Sequence, residues 1–372
     1  MKHQLTKSSL LKDIEFSLEE ADINEPLDIL IDSVNKNNEI TIYGKFAFDA
    51  QLANRLKVRA KLLSYIKNKS LPKIADPIFV TGLPRSGTTY LFNLLALNTN
   101  YRSPKFWEIM NPFPLAKNNS TIHYRRLKMD VQMNIVERII PHLKTMHKIR
   151  GNSPEECEQI ATMNAKSFAY ICMADIPEYT EYLKHTSFDD VFKWHHWFLQ
   201  MLETQRRPKN WLLKDPSHIG HIPEVLAAYP NAKIINIHRD PTDAIGSFCS
   251  LTKNIRSAVT KQIDERRIGE TVLDFWSHNL NKGIRDRELL NDNQIADIDF
   301  RDFIKNPINQ ISKAYEKLEL KIDDNFYQQM QTYIAQDKRT KKAKHHYDLS
   351  DFKISKEKLR KQFYDYMLKF NF

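Results

Sequence analysis

The chain has 372 residues, 41% of them hydrophobic, and its 56 Lys and Arg against 46 Asp and Glu leave a formal charge of +10. That apolar content excludes a mostly disordered chain, and no apolar run reaches the ~18–20 residues of a membrane helix. The cysteines, Cys157, Cys172 and Cys249, are odd in number and form no C-x-x-C pair, which argues against a disulfide scaffold or a cysteine zinc site. The N-terminus turns acidic before any apolar signal core appears, so a cytoplasmic protein with buried, reduced thiols is expected.

Residues 1–75 read as a helical N-terminal extension. Leu10, Leu11, Ile14 and Leu18 are spaced for one helix face, and Leu52, Leu56, Val58, Leu62, Leu63 and Ile66 for a second helix that ends near Pro72. The texture changes at Asp76. Pro77–Thr81 is a short apolar run that predicts a buried strand, followed by a helix over Tyr90–Leu97. Residues 116–210 read as a long helical insertion, with Trp194, Trp197, Phe198 and Leu202 as its most apolar stretch. Within it, Glu155, Glu156 and Glu158 predict a solvated helix start after Ser153-Pro154. Further strands are predicted at Trp211–Lys214, Lys233–His238 and, more weakly, Gln294–Asp299. Helices should follow at Ile222–Ala228, from Asp240-Pro241, and at Pro307–Leu318; Asp at the N-cap and Pro at the first helical position is a strong start signal. Alternating strands and helices predict an α/β three-layer sandwich on a central parallel sheet, with ligands at the carboxyl ends of the strands. The expected organisation is residues 1–75, an α/β core over 76–330 whose 116–210 insertion faces the acceptor, and a basic C-terminal segment with a tail helix over 331–372.

Glycine directs the functional reading. There are only 8, yet Gly82 and Gly87 fall within six residues of each other, in Gly82-Leu83-Pro84-Arg85-Ser86-Gly87-Thr88-Thr89. A strand leads into this stretch and a helix opens from it. That geometry gathers backbone N–H groups at the positive end of a helix. Arg85 adds a planar charge, and Ser86, Thr88 and Thr89 add hydroxyl donors. The whole predicts a grip on phosphate or a similar oxyanion. The glycine spacing matches the nucleotide P-loop, but Thr88 stands where that motif has the lysine that reaches the β- and γ-phosphates. A standard nucleotide triphosphatase is thereby weakened, and a donor with a shorter phosphate chain becomes attractive.

The stretch Pro84-Arg85-Ser86-Gly87-Thr88-Thr89 resembles the 5′-phosphosulfate loop of sulfotransferases that use 3′-phosphoadenosine 5′-phosphosulfate (PAPS). It is similar to tyrosylprotein sulfotransferases and to the broad bacterial sulfotransferase group. The likeness continues through Trp211–His218 and Ile237–Ser247 and covers roughly residues 76–320. The resemblance implies a sulfotransferase of the EC 2.8.2 type that moves a sulfuryl group from PAPS, its co-substrate, to a hydroxyl or amine, with no metal. It implies that Arg85, Ser86, Gly87, Thr88 and Thr89 hold the 5′ end of the donor, and that Arg239 and Ser247 hold its 3′-phosphate. Ser247 follows Arg239 by eight residues, so both can face one groove. Lys214 matches the lysine that stabilises the transferring group, with Arg85 neutralising the leaving phosphate. For the general base the resemblance offers two residues. Glu108, in Lys105-Phe106-Trp107-Glu108, matches the catalytic Glu of the tyrosylprotein relatives and is favoured. His218 is the rival, four residues beyond Lys214 where cytosolic relatives place a His two beyond.

The acceptor is not legible: small molecules, lipids, carbohydrates and proteins all occur in the family, and a homo-oligomer is compatible with the chain. The alternatives are a divergent P-loop kinase and a non-catalytic binder of anionic polymers. The second would use the run Lys338, Arg339, Lys341, Lys342, Lys344, His345 and His346, which otherwise reads as a solvated face. No nucleic-acid motif accompanies that run, so a nucleic-acid partner is not expected. The pairs His195-His196 and His345-His346 make poor shared metal sites.

Overall fold

The computed structural model describes residues 4–12, 14, 22–67, 69–141, 149–336 and 348–372. The chain divides into two compact units, one comprising Met1–Ile74, Pro104–Arg207 and Leu251–Thr271, the other Ala75–Ser103, Pro208–Ser250 and Val272–Phe372.

The second unit is built on five parallel strands: β1 (Pro77–Thr81), β2 (Tyr101–Arg102), β3 (Asn210–Lys214), β4 (Lys233–His238) and β5 (Ile295–Asp299). Their order across the sheet is β2-β3-β1-β4-β5. The chain starts in the middle at β1, runs to one edge, returns beside β1 and then crosses to the other side. That reversal places the carboxyl ends of β3, β1 and β4 next to one another, where open α/β sheets bind ligands. β1 is buried along its whole length and β4 everywhere but Lys233, as expected of parallel strands covered on both faces.

Alternation sorts the side chains. Ile78 and Val80 of β1 join Leu91, Leu94, Ile235, Ile237, Ile298, Ile311 and Tyr315 in one core layer, while Phe79 points to the other face and meets Tyr229 with ring centroids 5.6 Å apart. Each such aliphatic side chain contributes ~1.5–3 kcal/mol by leaving water. Truncating Ile237 to Ala would cost roughly 2–5 kcal/mol.

The strands expected at 77–81 and 233–238 and the helix at 222–228 match residue for residue, and β3 starts one residue earlier than expected. The helix after β1, expected over Tyr90–Leu97, begins at Thr88, because Thr88 and Thr89 of the loop themselves form its first turn. The two-residue β2 has no periodicity to betray it. The basic run at 338–346 and Leu18 lie outside the described residues.

The first unit is helical, with Asn24–Lys36, Ile42–Ile66, Asn119–Ile139, Pro177–His185 and Asp189–Glu203 as its longer elements. Its core encloses charges. Arg55 is fully buried and donates to Ile109 O at 3.0 Å and Met110 O at 2.7 Å; burial pulls its guanidinium down to about 10. Arg59, also fully buried, donates to Asn164 Oδ1 at 3.0 Å and Asp22 Oδ1 at 2.8 Å, and lies 3.5 Å over the Trp194 ring. The solvated start expected at 155–158 is overturned: Glu155 and Glu158 are buried. Glu158 Oε1 accepts from Ser167 Oγ and, at 3.1 Å, from the Ala169 amide, so the carboxylate holds the next helix start and not water.

Candidate functional site

The loop after β1 needs its glycines. Gly82 has φ +142°, and a Cβ there would lie 2.3 Å from Ile237 O of β4. Gly87 has φ +99°, and a Cβ would lie 2.9 Å from the Phe300 ring. Between them Arg85 holds φ +70°, a left-handed backbone that costs a non-glycine residue ~1–3 kcal/mol and clusters at functional sites. Ser86 is fully buried, and its Oγ has no hydrogen-bond partner among the described residues. The helix Thr88–Leu95 opens directly after Gly87; its first N–H groups have no acceptor within the helix.

Two more strand ends deliver cations here. Lys214, buried at the end of β3, donates from Nζ to Thr89 Oγ1 at 3.1 Å. It stands level with Val80 in the ladder, so it emerges on the face that carries the helix Thr88–Leu95. Arg239 follows β4 and donates from Nη1 to Arg85 O at 3.0 Å and from Nη2 to Asp243 Oδ2 at 3.1 Å. Its guanidinium lies 4.5 Å over the Phe300 ring, and its Nε is buried with no hydrogen-bond partner among the described residues. Ser247, on the helix Pro241–Arg256, accepts from Arg85 Nε at 3.2 Å. Arg85, Ser86, Gly87, Thr88, Thr89, Lys214, Arg239 and Ser247 are thus gathered at three adjacent strand ends. Buried donors without acceptors are costly, and an anion bound here would satisfy Ser86 Oγ and Arg239 Nε.

His218 goes elsewhere. It is buried in the turn Pro216–Gly220, with its ring edge-on to Phe79 at 4.9 Å, on the face opposite to Lys214. Glu108 belongs to the first unit. It is buried in the helix Phe106–Met110, where Oε2 accepts from the Lys105 amide at 2.8 Å and closes that helix start. His195 is buried with Nε2 3.2 Å from Cys157 Sγ.

Sequence reasoning missed the residues that brace Arg239. Phe300, just past β5, supports its guanidinium and limits Gly87. The hydroxyl of Tyr366, from the helix Tyr364–Phe370, accepts from the Arg239 amide at 3.2 Å and lies 3.2 Å from His238 Nδ1. His238 Nε2 donates to Asp297 Oδ1 at 2.7 Å, which leaves Nδ1 to accept from Tyr366. Burial opposes the charge on Asp297, but bonds from His238 and Arg287 outweigh it and hold the carboxyl well below its ordinary range. Aromatic richness at the chain end is a sequence signal that could have pointed to Tyr366, but not to Phe300.

The sulfotransferase family model matches residues 77–324, two-thirds of the chain. The chain belongs to the sulfotransferase family. The omega-hydroxy-beta-dihydromenaquinone-9 sulfotransferase Stf3 of Mycobacterium bovis is 25% identical over 278 residues, 70% of this chain and 68% of the relative, and its Mycobacterium tuberculosis counterpart matches equally. In fold, the sulfotransferase is similar to the crystal structure of STF1 from M. tuberculosis, with TM-score 0.84 and 24% identity over 98% of this chain and 99% of that one. It is similar also to STF9 from Mycobacterium avium, with TM-score 0.87 and 22% identity over 100% and 98%. Membership sets the kinase and polymer-binder alternatives aside. The matched span contains all three strand ends of the sulfotransferase and its Phe300 brace. No described helix is long and apolar enough to cross a membrane.

Proposed function

We propose that this sulfotransferase takes its sulfuryl group from PAPS and places it on the hydroxyl of an apolar, lipid-like acceptor. The observation that carries the donor is the convergence of Arg85, Arg239 and Ser247, with Ser86 Oγ and Arg239 Nε buried and unanswered. The 5′-phosphate sits in the loop, held by its amides, Ser86 and Thr88. The 3′-phosphate takes Arg239 and Ser247, with Arg85 bridging the two by its present bond to Ser247. Two phosphate positions fixed at adjacent strand ends set the angle of approach, and positioning dominates such transfers.

PAPS supplies an activated sulfuryl group. Lys214, its ammonium bonded to Thr89 Oγ1, stabilises charge on the transferring group and the leaving oxygen. Glu108 takes the proton of the acceptor hydroxyl. The opposite-face packing of His218 against Phe79 favours a structural role for that residue. The acceptor class rests on the lipid named for the Stf3 relative.

A turnover assay tests this reading: release of adenosine 3′,5′-bisphosphate from PAPS, with a hydroxylated isoprenoid quinone against a water-soluble phenol. The quinone should be the better acceptor. Glu108→Gln should lower turnover ~10²–10⁴-fold while leaving bisphosphate affinity unchanged, whereas His218→Gln should retain most activity. Loss of turnover in His218→Gln with activity kept in Glu108→Gln would reverse the base assignment.

A further inference from the structure

The helix Asn119–Ile139 lies wholly in the first unit and is apolar on two opposite sides. Inward, Met129 and Met133 are buried with Phe106 and Trp107, and Ile122, Val136 and Ile140 pack against them. Outward, Tyr124, Leu127, Val131, Ile135 and Ile139 are each between 51% and 66% exposed. At 100° per residue these five fall within an arc of ~120° that runs most of the ~30 Å length. Isolated exposed apolar side chains are ordinary, but a continuous stripe is not, and the outward face of a packed helix is normally polar.

The charges on this helix are sorted as well. Lys128 and Arg138 are exposed within the same arc. Both acidic residues are turned to the protein: Asp130 Oδ1 accepts from the Gly151 amide at 2.8 Å, and Glu137 clamps Arg150 at 2.6 and 3.1 Å. The outward arc is therefore apolar and cationic, with no carboxylate.

We infer that this helix lies in the surface plane of an anionic lipid bilayer. Leu127, Val131, Ile135 and Ile139 enter the acyl boundary, while Lys128 and Arg138 extend to the lipid phosphates. A second copy of the chain fits the face less well, because it would set these cations against their own kind with no carboxylate to pair them. The docking stands on the surface alone. Its use, presenting an apolar acceptor without drawing it into water, rests on the acceptor proposed above.

The test is co-sedimentation of the full chain with vesicles of equal parts phosphatidylcholine and phosphatidylglycerol, against phosphatidylcholine alone. Wild type should bind the anionic vesicles, at least ~10-fold more tightly than the neutral ones. The triple variant Leu127→Gln, Val131→Gln, Ile135→Gln should lose that binding by at least ~10-fold. These side chains are exposed, so its melting temperature and its affinity for adenosine 3′,5′-bisphosphate should match wild type. Each of Lys128→Gln and Arg138→Gln should weaken binding ~5-fold on anionic vesicles alone. Absence of vesicle binding by wild type, or equal binding by the triple variant, overturns the inference. So does light scattering that finds a wild-type dimer, a monomeric triple variant and no vesicle binding, which assigns the face to a second copy. Failure of bisphosphate binding with vesicle binding intact would strike the donor reading and leave this one standing.

Discussion

Arg239 and Arg59 both lie over aromatic rings, at 4.5 Å from Phe300 and 3.5 Å from Trp194, yet the two regions use their cations differently. Arg59 is fully buried among the helices and donates to Asn164 and Asp22; its charge is consumed in holding the unit together. Arg239 stands at a strand end, partly exposed, with a buried Nε that nothing in the described chain accepts from. The backbone around it is strained at Arg85 and braced by Phe300 and Tyr366. The contrast teaches that burial of a charge does not mark function. What sets Arg239 apart is its company: it shares adjacent strand ends with Arg85, Ser86 and Ser247.

The comparison breaks if the two arginines respond alike. Arg59→Leu should cost about 3–5 kcal/mol of stability, because Asp22 and Asn164 lose their buried donor; a denaturant titration reads this, and nucleotide affinity should be unchanged where the variant folds. Arg239→Ala should leave stability within about 1 kcal/mol of wild type and weaken adenosine 3′,5′-bisphosphate about 100-fold, or about 2.7 kcal/mol by calorimetry.

A third variant sharpens the buried side through pH. Burial, aided by the neighbouring His196, pulls the His195 imidazole down to about 3, against ~6.5 in an unfolded chain. Between those values the unfolded chain binds a proton that the folded chain does not. The contribution is full above pH ~6.5 and is lost as pH falls, with a slope of up to ~1.4 kcal/mol per pH unit. His195→Phe should flatten the stability profile between pH ~4 and ~6; an unchanged slope would assign it to other groups. The smallest effect is expected at Tyr366→Phe. Removing the hydroxyl between His238 and the Arg239 amide should cost about 1 kcal/mol and weaken bisphosphate binding a few-fold, with no effect on the Arg59 region.

The two regions also differed in legibility. The loop from Gly82 to Thr89 could be read because its demands are local: two glycines where a Cβ would strike Ile237 O and Phe300, and hydroxyls beside them. β1 and β4 could be read because strands buried on both faces are nearly continuous apolar runs. Phe300 and Tyr366 could not, since they meet the site through contacts 61 and 127 residues away in sequence from Arg239. Glu158 reads as solvated in the sequence because its partners, Ser167 and the Ala169 amide, are supplied only by the fold. The stripe on Asn119–Ile139 was hidden for a similar reason: its helix is apolar on both sides, and only packing tells which side is covered.

The most direct test is a set of thermal shifts with adenosine 3′,5′-bisphosphate, AMP and ATP on wild type and Arg239→Ala. The account predicts stabilisation of wild type by the bisphosphate well above that by AMP or ATP, and loss of that selectivity in Arg239→Ala. An equal response to all three nucleotides, or no response to any, would contradict a 3′-phosphate site at the ends of β1, β3 and β4.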